Sequence, residues 1–339
     1  MGARGAGMSL PRRSDLAHHW SLDPETVFLN HGSFGATPIG VLEEQGRIRS
    51  SLESDPVRFF EREYSDSWDE SRASVARMLN ADVDGLTFVS NATQGVNTVL
   101  RSLDLKPGDE IIVPDHSYQA CWNAVDYVTQ RSGAKTIVVE IPFRLDGPEQ
   151  VIDLIMGAVT ESTVLALIDT VTSPTGTRMP FEELTQRLQA RGVDVLLDAA
   201  HGPGIVPIDL GRLAPAYCAG NCHKWVCSPK GSAFLHIRED RKDLIHPLNI
   251  SHGFSFEGTA QEKFEFEFAW PGTQDPTPWL CIPHPMSFME GLVEGGWSEI
   301  LSRNQNLSIH GRNLHCVHLR TTPHAPCSIV SALPSVAIA

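Results

Sequence analysis

Residues 193–202 read VDVLLDAAHG, an apolar run that ends on a carboxylate, Asp198. Comparable apolar runs precede it in the chain, and stretches of ten or more residues with helical spacing separate them. These runs are GLTFV (85–89), DEIIVP (109–114), KTIVVEI (135–141) and STVLALIDTV (162–171). Short buried strands that alternate with helices are typical of βαβ units in a mostly parallel sheet. The sequence therefore predicts an α/β fold.

Two further segments carry a clear pattern. Residues 41–79 have charges at helical spacing on both sides of Asp55-Pro56, which predicts two helices joined at that break. KFEFEFAW (263–270) alternates Phe with Glu, which predicts a half-exposed strand.

Composition limits the classes of function. The chain has 339 residues, of which 41% are hydrophobic and 20% charged, as in soluble globular proteins of enzyme size. A net charge of −14 weighs against binding to nucleic acid, which depends on clustered basic residues. No apolar run approaches the roughly 20 residues of a membrane helix, and the first 20 residues lack the apolar region of a secretory signal. We expect a cytoplasmic protein without a membrane or nucleic-acid partner.

The cysteines indicate neither disulfides nor a metal site. There are seven, an odd number at uneven spacing, which favours free thiols. Cys218, Cys222 and Cys227 are close in sequence but lack the paired spacing of a zinc site, so we expect no metal.

Polar residues follow the predicted strands at their carboxyl ends, where ligands bind in parallel sheets. We therefore expect one shared cleft to collect them. They are Asn91 and Thr93, with Ala92 between them, and Asp115, His116, Thr172, Ser173, Asp198 and His201.

The stretch GNCHKWVCSPKG (220–231) contains Lys224. A lysine in a cleft loses its proton readily and bonds to a carbonyl carbon, whereas a lysine considered alone is usually a solvated surface residue. Asp198 at a buried strand end needs a cationic partner, unless it caps the turn that follows. Together the two residues suggest a cofactor that bonds to the amine of Lys224 and pairs with the carboxylate of Asp198.

Pyridoxal phosphate (PLP) requires an amine for its aldehyde, an anion for its ring nitrogen, a flat group against its ring and donors for its phosphate. Lys224 and Asp198 meet the first two needs. His116 would be the flat group, although it also fits a surface loop. The turn 91–93 before a helix is a natural anion site. Further phosphate donors would be Asn221 and His223.

Seven motifs in order strengthen this hypothesis. They are FLNHGSFGATP (28–38), SNATQGVNTVLRSL (90–103), DHSYQACWNAV (115–125), DTVTSPTGTRMP (169–180), LLDAAHGPG (196–204), GNCHKWVCSPKG (220–231) and FAWPGTQDPTPWL (268–280). The set resembles the class V aminotransferase family of fold-type I PLP-dependent enzymes, in its isopenicillin N epimerase-like and cysteine desulfurase-like branch. The resemblance covers about residues 25–335.

The resemblance implies roles for individual residues. Lys224 would bond to PLP, Asp198 would pair with the ring nitrogen and His116 would stack on the ring, which makes these three the expected catalytic residues. His201 would approach the phenolic oxygen, and Ser173 stands where many relatives have an asparagine. The expected phosphate ligands are Ala92, Thr93, Asn221 and His223, with Thr273 contributed by the partner subunit of a homodimer.

The resemblance also implies a substrate side and a domain division. Asn30 and His31 would line the substrate side, although Asn30-His31-Gly32 also fits a simple tight turn. We expect residues 1–25 to associate with a small domain, residues 26–285 to form the large PLP-binding domain, and residues 286–339 to begin the small C-terminal domain, which is shorter here than in the family. The family's carboxylate-binding arginine is not identifiable in that part of the sequence.

The expected reaction is removal of the Cα proton from an amino acid or peptide-like amine by Lys224, followed by epimerisation or by loss of a β-substituent. A non-catalytic protein that keeps the PLP fold is the alternative from another class. Persulfide transfer is less favoured, because Cys327 lies in no motif comparable to that of the desulfurases. A dehydrogenase is less favoured too, because HGPGIVP (201–207) lacks the G-x-G-x-x-G spacing.

Overall fold

A seven-stranded sheet forms the centre of the computed structural model, which describes residues 13–318. The strands are β1 (Leu86–Val89), β2 (Glu110–Pro114), β3 (Lys135–Val139), β4 (Thr163–Asp169), β5 (Asp194–Ala199), β6 (Tyr217–Asn221) and β7 (Ala233–Ile237). Their order is β1-β7-β6-β5-β4-β2-β3, and β7 runs antiparallel to both of its neighbours while the other pairs are parallel. The predicted α/β fold is confirmed.

Helices precede, follow and connect these strands. They are α1 (His31–Phe34), α2 (Ile39–Ser54), α3 (Pro56–Arg58), α4 (Tyr64–Leu79), α5 (Ala92–Ser102), α6 (Gln119–Ser132), α7 (Pro148–Gly157), α8 (Phe181–Ala190), α9 (Leu210–Leu213), α10 (Ala260–Ala269), α11 (Thr277–Leu280), α12 (Pro283–Leu292) and α13 (Gly296–His318). A π-helical turn, Phe59–Glu63, joins α3 to α4. Short 3-10 turns lie at Ala17–His19, Val83–Gly85, Glu239–Leu244 and His252–Ser255.

Both faces of the sheet are buried. On one face Ile112, Ala166 and Leu197 join an apolar cluster, and on the other Ile111 and Leu167 join a second one. Residues that alternate along one strand thus enter opposite cores, which is why the strands are continuously apolar in the sequence.

The predicted helix break at Asp55-Pro56 is confirmed. Asp55 accepts a hydrogen bond from the backbone N–H of Arg58 at 3.1 Å, so it caps α3, and Pro56 stands at the first helical position. Proline is tolerated there because its missing N–H has no helical acceptor.

The predicted strand at residues 263–270 is wrong, because these residues belong to α10 or follow it directly. Thr259 begins the helix with a capping box: its hydroxyl accepts the backbone N–H of Glu262, and the Glu262 carboxylate accepts that of Thr259. Phe264 and Phe268, one helical turn apart, are buried. The Phe alternation at 264, 266 and 268 also satisfies this i, i+4 pair, so alternation alone did not distinguish the two structures.

The beginning of the described chain packs against its end. Trp20 lies in one apolar cluster with Met289 of α12 and Ile300 of α13, and its indole N–H donates to the Ala36 carbonyl at 3.2 Å. This packing agrees with an N-terminal segment that associates with a small domain. The division at 1–25, 26–285 and 286–339 stays a prediction.

Candidate active site

A cavity of about 400 Å³ opens at the carboxyl ends of β4, β5 and β6, where α5 and α6 begin. Eight residues predicted for cofactor binding line it together. These are Ala92, Thr93, Ser173, Asp198, His201, Asn221, His223 and Lys224. The parallel strands therefore bring residues as much as 132 positions apart to one place, as the sheet topology requires.

Lys224 follows β6 and points its amine at His201. The Lys224 Nζ to His201 Nε2 distance is 3.0 Å. Burial lowers the pKa of the Lys224 amine from its ordinary value, while the charge of Asp198 opposes that shift. Burial and the nearby Lys224 charge lower the pKa of His201 to about 3, so at neutral pH the imidazole is neutral. The Trp225 indole N–H donates to His201 Nδ1 at 3.4 Å, which places the proton of the neutral imidazole on Nε2. Nε2–H therefore faces the Lys224 amine and donates to it when the amine is uncharged.

Asp198 is the last residue but one of β5 and is 2% exposed. Its Oδ1 accepts the backbone N–H of Ala200 at 2.9 Å, and its Oδ2 accepts the Cys121 thiol at 3.2 Å. Burial raises the carboxyl pKa, and these two hydrogen bonds and the Lys224 charge oppose the rise. Asp198 thus organises the turn after β5 and also presents a buried anion to the cavity.

The start of α5 lies beside the end of β6. Asn91 caps the helix by accepting the Gln94 N–H at 2.8 Å, and the Ala92 N–H donates to Asn221 Oδ1 at 2.8 Å. His223 Nδ1–H donates to the Ser232 carbonyl at 2.9 Å, and burial lowers the His223 pKa to about 4. A helix N-terminus and polar side chains therefore meet at one wall of the cavity.

Two of the residues predicted for cofactor binding, His116 and Thr273, do not line this cavity. His116 follows β2, is partly buried, and its Nδ1 lies 3.3 Å from the Thr175 hydroxyl. Thr273 is exposed in the turn between α10 and α11. The stacking role of His116 and the contribution of Thr273 across a dimer interface stay predictions.

The segment around α1 is pressed against the backbone of Lys224. His31 is fully buried and donates from Nε2 to the Lys224 carbonyl at 2.9 Å. Gly35 has φ +71°, and a Cβ on it would lie 2.0 Å from the His223 carbonyl oxygen, so this close approach requires glycine.

Asn30 is exposed and caps α1, and the residues of this segment that line the cavity are Ser33 and Phe34. The substrate role of Asn30 and His31 stays a prediction.

Sequence reasoning missed several lining residues: Ser33, Phe34, Tyr118, Ala120, Asp169 and Ala200. Asp169 had a usable signal, because it follows an apolar run at the end of a strand, much as Asp198 follows one near the end of β5. Cys121 lay inside a quoted motif, but its contact with Asp198 spans 77 positions and leaves no local pattern.

A family model decides the identity of the chain: the model described as aminotransferase class-V matches residues 49–273. The chain belongs to the class V aminotransferase family. Members of this family are PLP-dependent enzymes, and this class V chain is one of them.

Two curated relatives of this class V enzyme have different names. The isopenicillin N epimerase of Streptomyces clavuligerus is 31% identical over 306 residues, which cover 86% of this chain and 75% of that protein. A probable chloroplastic L-cysteine desulfhydrase of Arabidopsis thaliana is 32% identical over 310 residues, covering 86% of this chain and 63% of that protein.

Solved structures share the fold. The cystine C-S lyase C-DES, in complex with its reaction product cysteine persulfide, gives a TM-score of 0.76 at 21% identity, over 86% of this chain and 79% of that one. The apo cysteine desulfurase of Thermococcus onnurineus NA1 gives 0.75 at 18% identity, over 96% and 82%. The predicted fold-type I architecture is confirmed.

The residues present fit PLP. The cavity holds an amine whose pKa burial lowers, a buried carboxyl across from it, and a helix N-terminus with polar side chains at one wall. These are the amine, the anion and the phosphate donors that PLP needs.

Within residues 13–318, none of the helices is long and apolar enough to cross a bilayer. In the same part of the chain, no three metal-ligating side chains are grouped to hold an ion. The cytoplasmic location stays a prediction, and one relative is named as chloroplastic. Cys327 lies outside the described residues.

Proposed function

We propose that this class V enzyme acts at the Cα of an amino acid or small peptide-like amine, and that Lys224 is the base that removes the Cα proton. The observation that carries the proposal is the partly buried Lys224 amine, 3.0 Å from a neutral His201 and in one cavity with Asp198. When bound, PLP supplies an electron sink for the negative charge that develops at Cα.

Lys224 is suited to be a base because burial disfavours its charged form. His201 Nε2–H lies 3.0 Å from the amine nitrogen and so restricts the direction of its lone pair. A positioned base with a lowered pKa transfers protons efficiently near neutral pH.

Asp198 would face the ring nitrogen and keep it protonated. The Ala200 N–H and the Cys121 thiol fix the carboxylate, and both hydrogen bonds favour its ionised form. His201, beside the amine, and Ser173 would approach the phenolic oxygen, and His116 would stack on the ring.

Ala92, Thr93, Asn221 and His223 would hold the phosphate at the start of α5. His223 uses Nδ1–H on the Ser232 carbonyl, so an adjacent phosphate would favour protonation of its other nitrogen. In a homodimer, Thr273 of the partner subunit would complete this site. The exposed position of Thr273 is compatible with such a contact.

Two outcomes share the first proton removal. Return of a proton to the opposite face of Cα gives epimerisation, and loss of a group from Cβ gives elimination. The names of the relatives support both outcomes. Asn30 and His31 would lie on the substrate side, beside the cavity-lining Ser33 and Phe34.

The base and cofactor assignment is tested by reductive trapping. We expect the PLP-loaded protein to show a visible absorption band, and borohydride to fix the cofactor mass on a peptide that contains Lys224. Lys224→Ala should lose both signals. Lys230→Ala is the matched control, because Lys230 is exposed, contacts Thr37, and should leave both signals intact. Attachment to another lysine would refute the assignment.

The reaction is then followed with amino acids in deuterated water. Deuterium at Cα with inverted configuration identifies an epimerase, and a keto acid with a released β-group identifies a lyase. If no amine changes the visible band, the protein is instead a non-catalytic member of the fold.

A further inference from the structure

Two carboxyl groups lie side by side beneath the cavity. Asp169 ends β4 and Asp198 lies near the end of β5, and their Cα atoms are register partners in the parallel pair. Register partners on adjacent strands point to the same face, about 4.8 Å apart. Both residues are 2% exposed and both line the cavity.

Among the described residues that line the cavity, one carries a positive charge near this pair. It belongs to Lys224, which acts on Asp198. His201 and His223 are neutral because burial lowers their pKa values, and the Cys121 thiol stays neutral because burial and both carboxyls raise its pKa. Two ionised carboxylates would leave an uncompensated negative charge in a buried site, which is costly. This arrangement favours a proton on one of the two carboxyls.

The two carboxyls differ in what stabilises their charge. Asp198 has the Lys224 charge, the Ala200 N–H and the Cys121 thiol. Asp169 accepts the Ser117 hydroxyl at 2.5 Å and a backbone hydrogen bond from Tyr118, while the negative charge of Asp198 acts against its ionisation. A like charge beside a buried carboxyl favours its neutral form.

We infer that Asp169 is a positioning residue whose carboxyl stays un-ionised, so that the buried negative charge is reserved for Asp198. The protonation itself depends on this chain alone, and only its consequence for the cofactor rests on the proposed function. With Asp169 neutral, Asp198 keeps its charge for the ring nitrogen. If Asp169 were ionised, the two carboxylates would compete for the positive charge of Lys224.

Infrared spectroscopy of the PLP-loaded protein, with and without ¹³C-labelled aspartate, detects the proton directly. We expect one C=O stretch of a protonated aspartic acid at pH 7.5. Its frequency depends on the hydrogen bonds to that carboxyl, which allows assignment by donor deletion. Ser117→Ala removes the donor to Asp169, and Cys121→Ala removes the donor to Asp198.

A larger shift of the band in Ser117→Ala than in Cys121→Ala supports the inference. An equal or larger shift in Cys121→Ala assigns the proton to Asp198 and overturns it. Absence of an acid band, or a band that Ser117→Ala leaves unmoved, overturns it as well. Neither variant changes a carboxyl, so the result does not depend on whether a carboxyl variant folds.

The consequence is tested by PLP titration. Asn is neutral and similar in shape to protonated Asp, so Asp169→Asn should keep the PLP dissociation constant within about threefold, whereas Asp198→Asn should weaken binding about tenfold or more. Equal losses of PLP affinity in Asp169→Asn and Asp198→Asn would contradict the inference that the negative charge resides on Asp198. If the wild-type protein binds no PLP, the proposed function fails, and the same infrared comparison on the PLP-free protein decides where the proton lies.

Discussion

At the scale of single residues, neighbours decide the chemistry of this site. Lys224 differs from an ordinary surface lysine because burial lowers the pKa of its amine and because His201 Nε2 lies 3.0 Å from that amine. Asp198 differs from an ordinary capping residue because Cys121 adds a second donor from α6. The same two side chains on an exposed loop would titrate normally and bind nothing.

Cys121 therefore offers a residue-scale prediction. Cys121→Val replaces the thiol with a slightly larger apolar side chain and removes the donor to Asp198 Oδ2, while Cys121→Ser keeps a hydroxyl donor. A thiol is a weak donor, so the loss in Val should be about 1 kcal/mol, or about fivefold in the PLP dissociation constant. Cys121→Ser should keep the PLP dissociation constant near the wild-type value. Absorbance titration measures both, and equal dissociation constants for Val and Ser would show that the thiol does not support Asp198.

At the scale of elements, a local sequence pattern predicted the correct element where the pattern fits one type of secondary structure. It failed where the pattern fits both a helix and a strand. The five apolar runs became β1 to β5, because short apolar runs bounded by turn residues and separated by helical stretches are typical of strands in an α/β sheet. The strands β6 (YCAGN) and β7 (AFLHI) were not predicted, because one is short and rich in small residues and the other carries a buried His236. For α10 the deciding signal was the capping box at Thr259 rather than the order of the Phe residues.

The capping box gives the element-scale prediction. Thr259→Ala removes the hydroxyl that accepts the Glu262 N–H, so we expect the free energy of unfolding to fall by about 1 kcal/mol. Urea denaturation measures this loss, and hydrogen exchange should accelerate within residues 260–269. Thr259→Ser retains the hydroxyl and serves as the control. If Thr259→Ala and Thr259→Ser have the same free energy of unfolding, the hydroxyl does not stabilise α10, and the packing of Phe264 and Phe268 is sufficient to hold the helix in place.

At the scale of the whole molecule, the fold class and the gathering of eight predicted residues in one cavity were predictable, because both depend on motifs that are continuous in the sequence. Contacts between distant segments were not. The pairing of Asp169 with Asp198 depends on the strand order, and the hydrogen bond from His31 to the Lys224 carbonyl joins residues 193 positions apart. No periodicity or spacing encodes either contact.

The burial of histidines also belongs to this scale, because it results from the assembled core. His31, His201, His223 and His236 all have lowered pKa values, about 3 for His201 and about 4 for the others, with burial as the main cause. Their unfolded value is about 6.5. Between these values the unfolded chain binds protons that the folded chain does not, so the free energy of unfolding rises with pH. The stabilisation is complete above pH 6.5 and is lost as the pH falls towards 4.

His31→Gln tests this explanation. Glutamine keeps an amide donor for the Lys224 carbonyl but does not titrate, so between pH 6.5 and 5 the free energy of unfolding should fall less steeply. One proton corresponds to about 1.4 kcal/mol per pH unit, which is the largest decrease in slope that a single histidine can produce. Urea denaturation of the PLP-saturated protein at several pH values measures the slope. His252→Gln, at an exposed position, should leave it unchanged. If the two variants have the same slope, His31 takes up its proton equally in the folded and unfolded states, and its burial cannot be a cause of acid sensitivity.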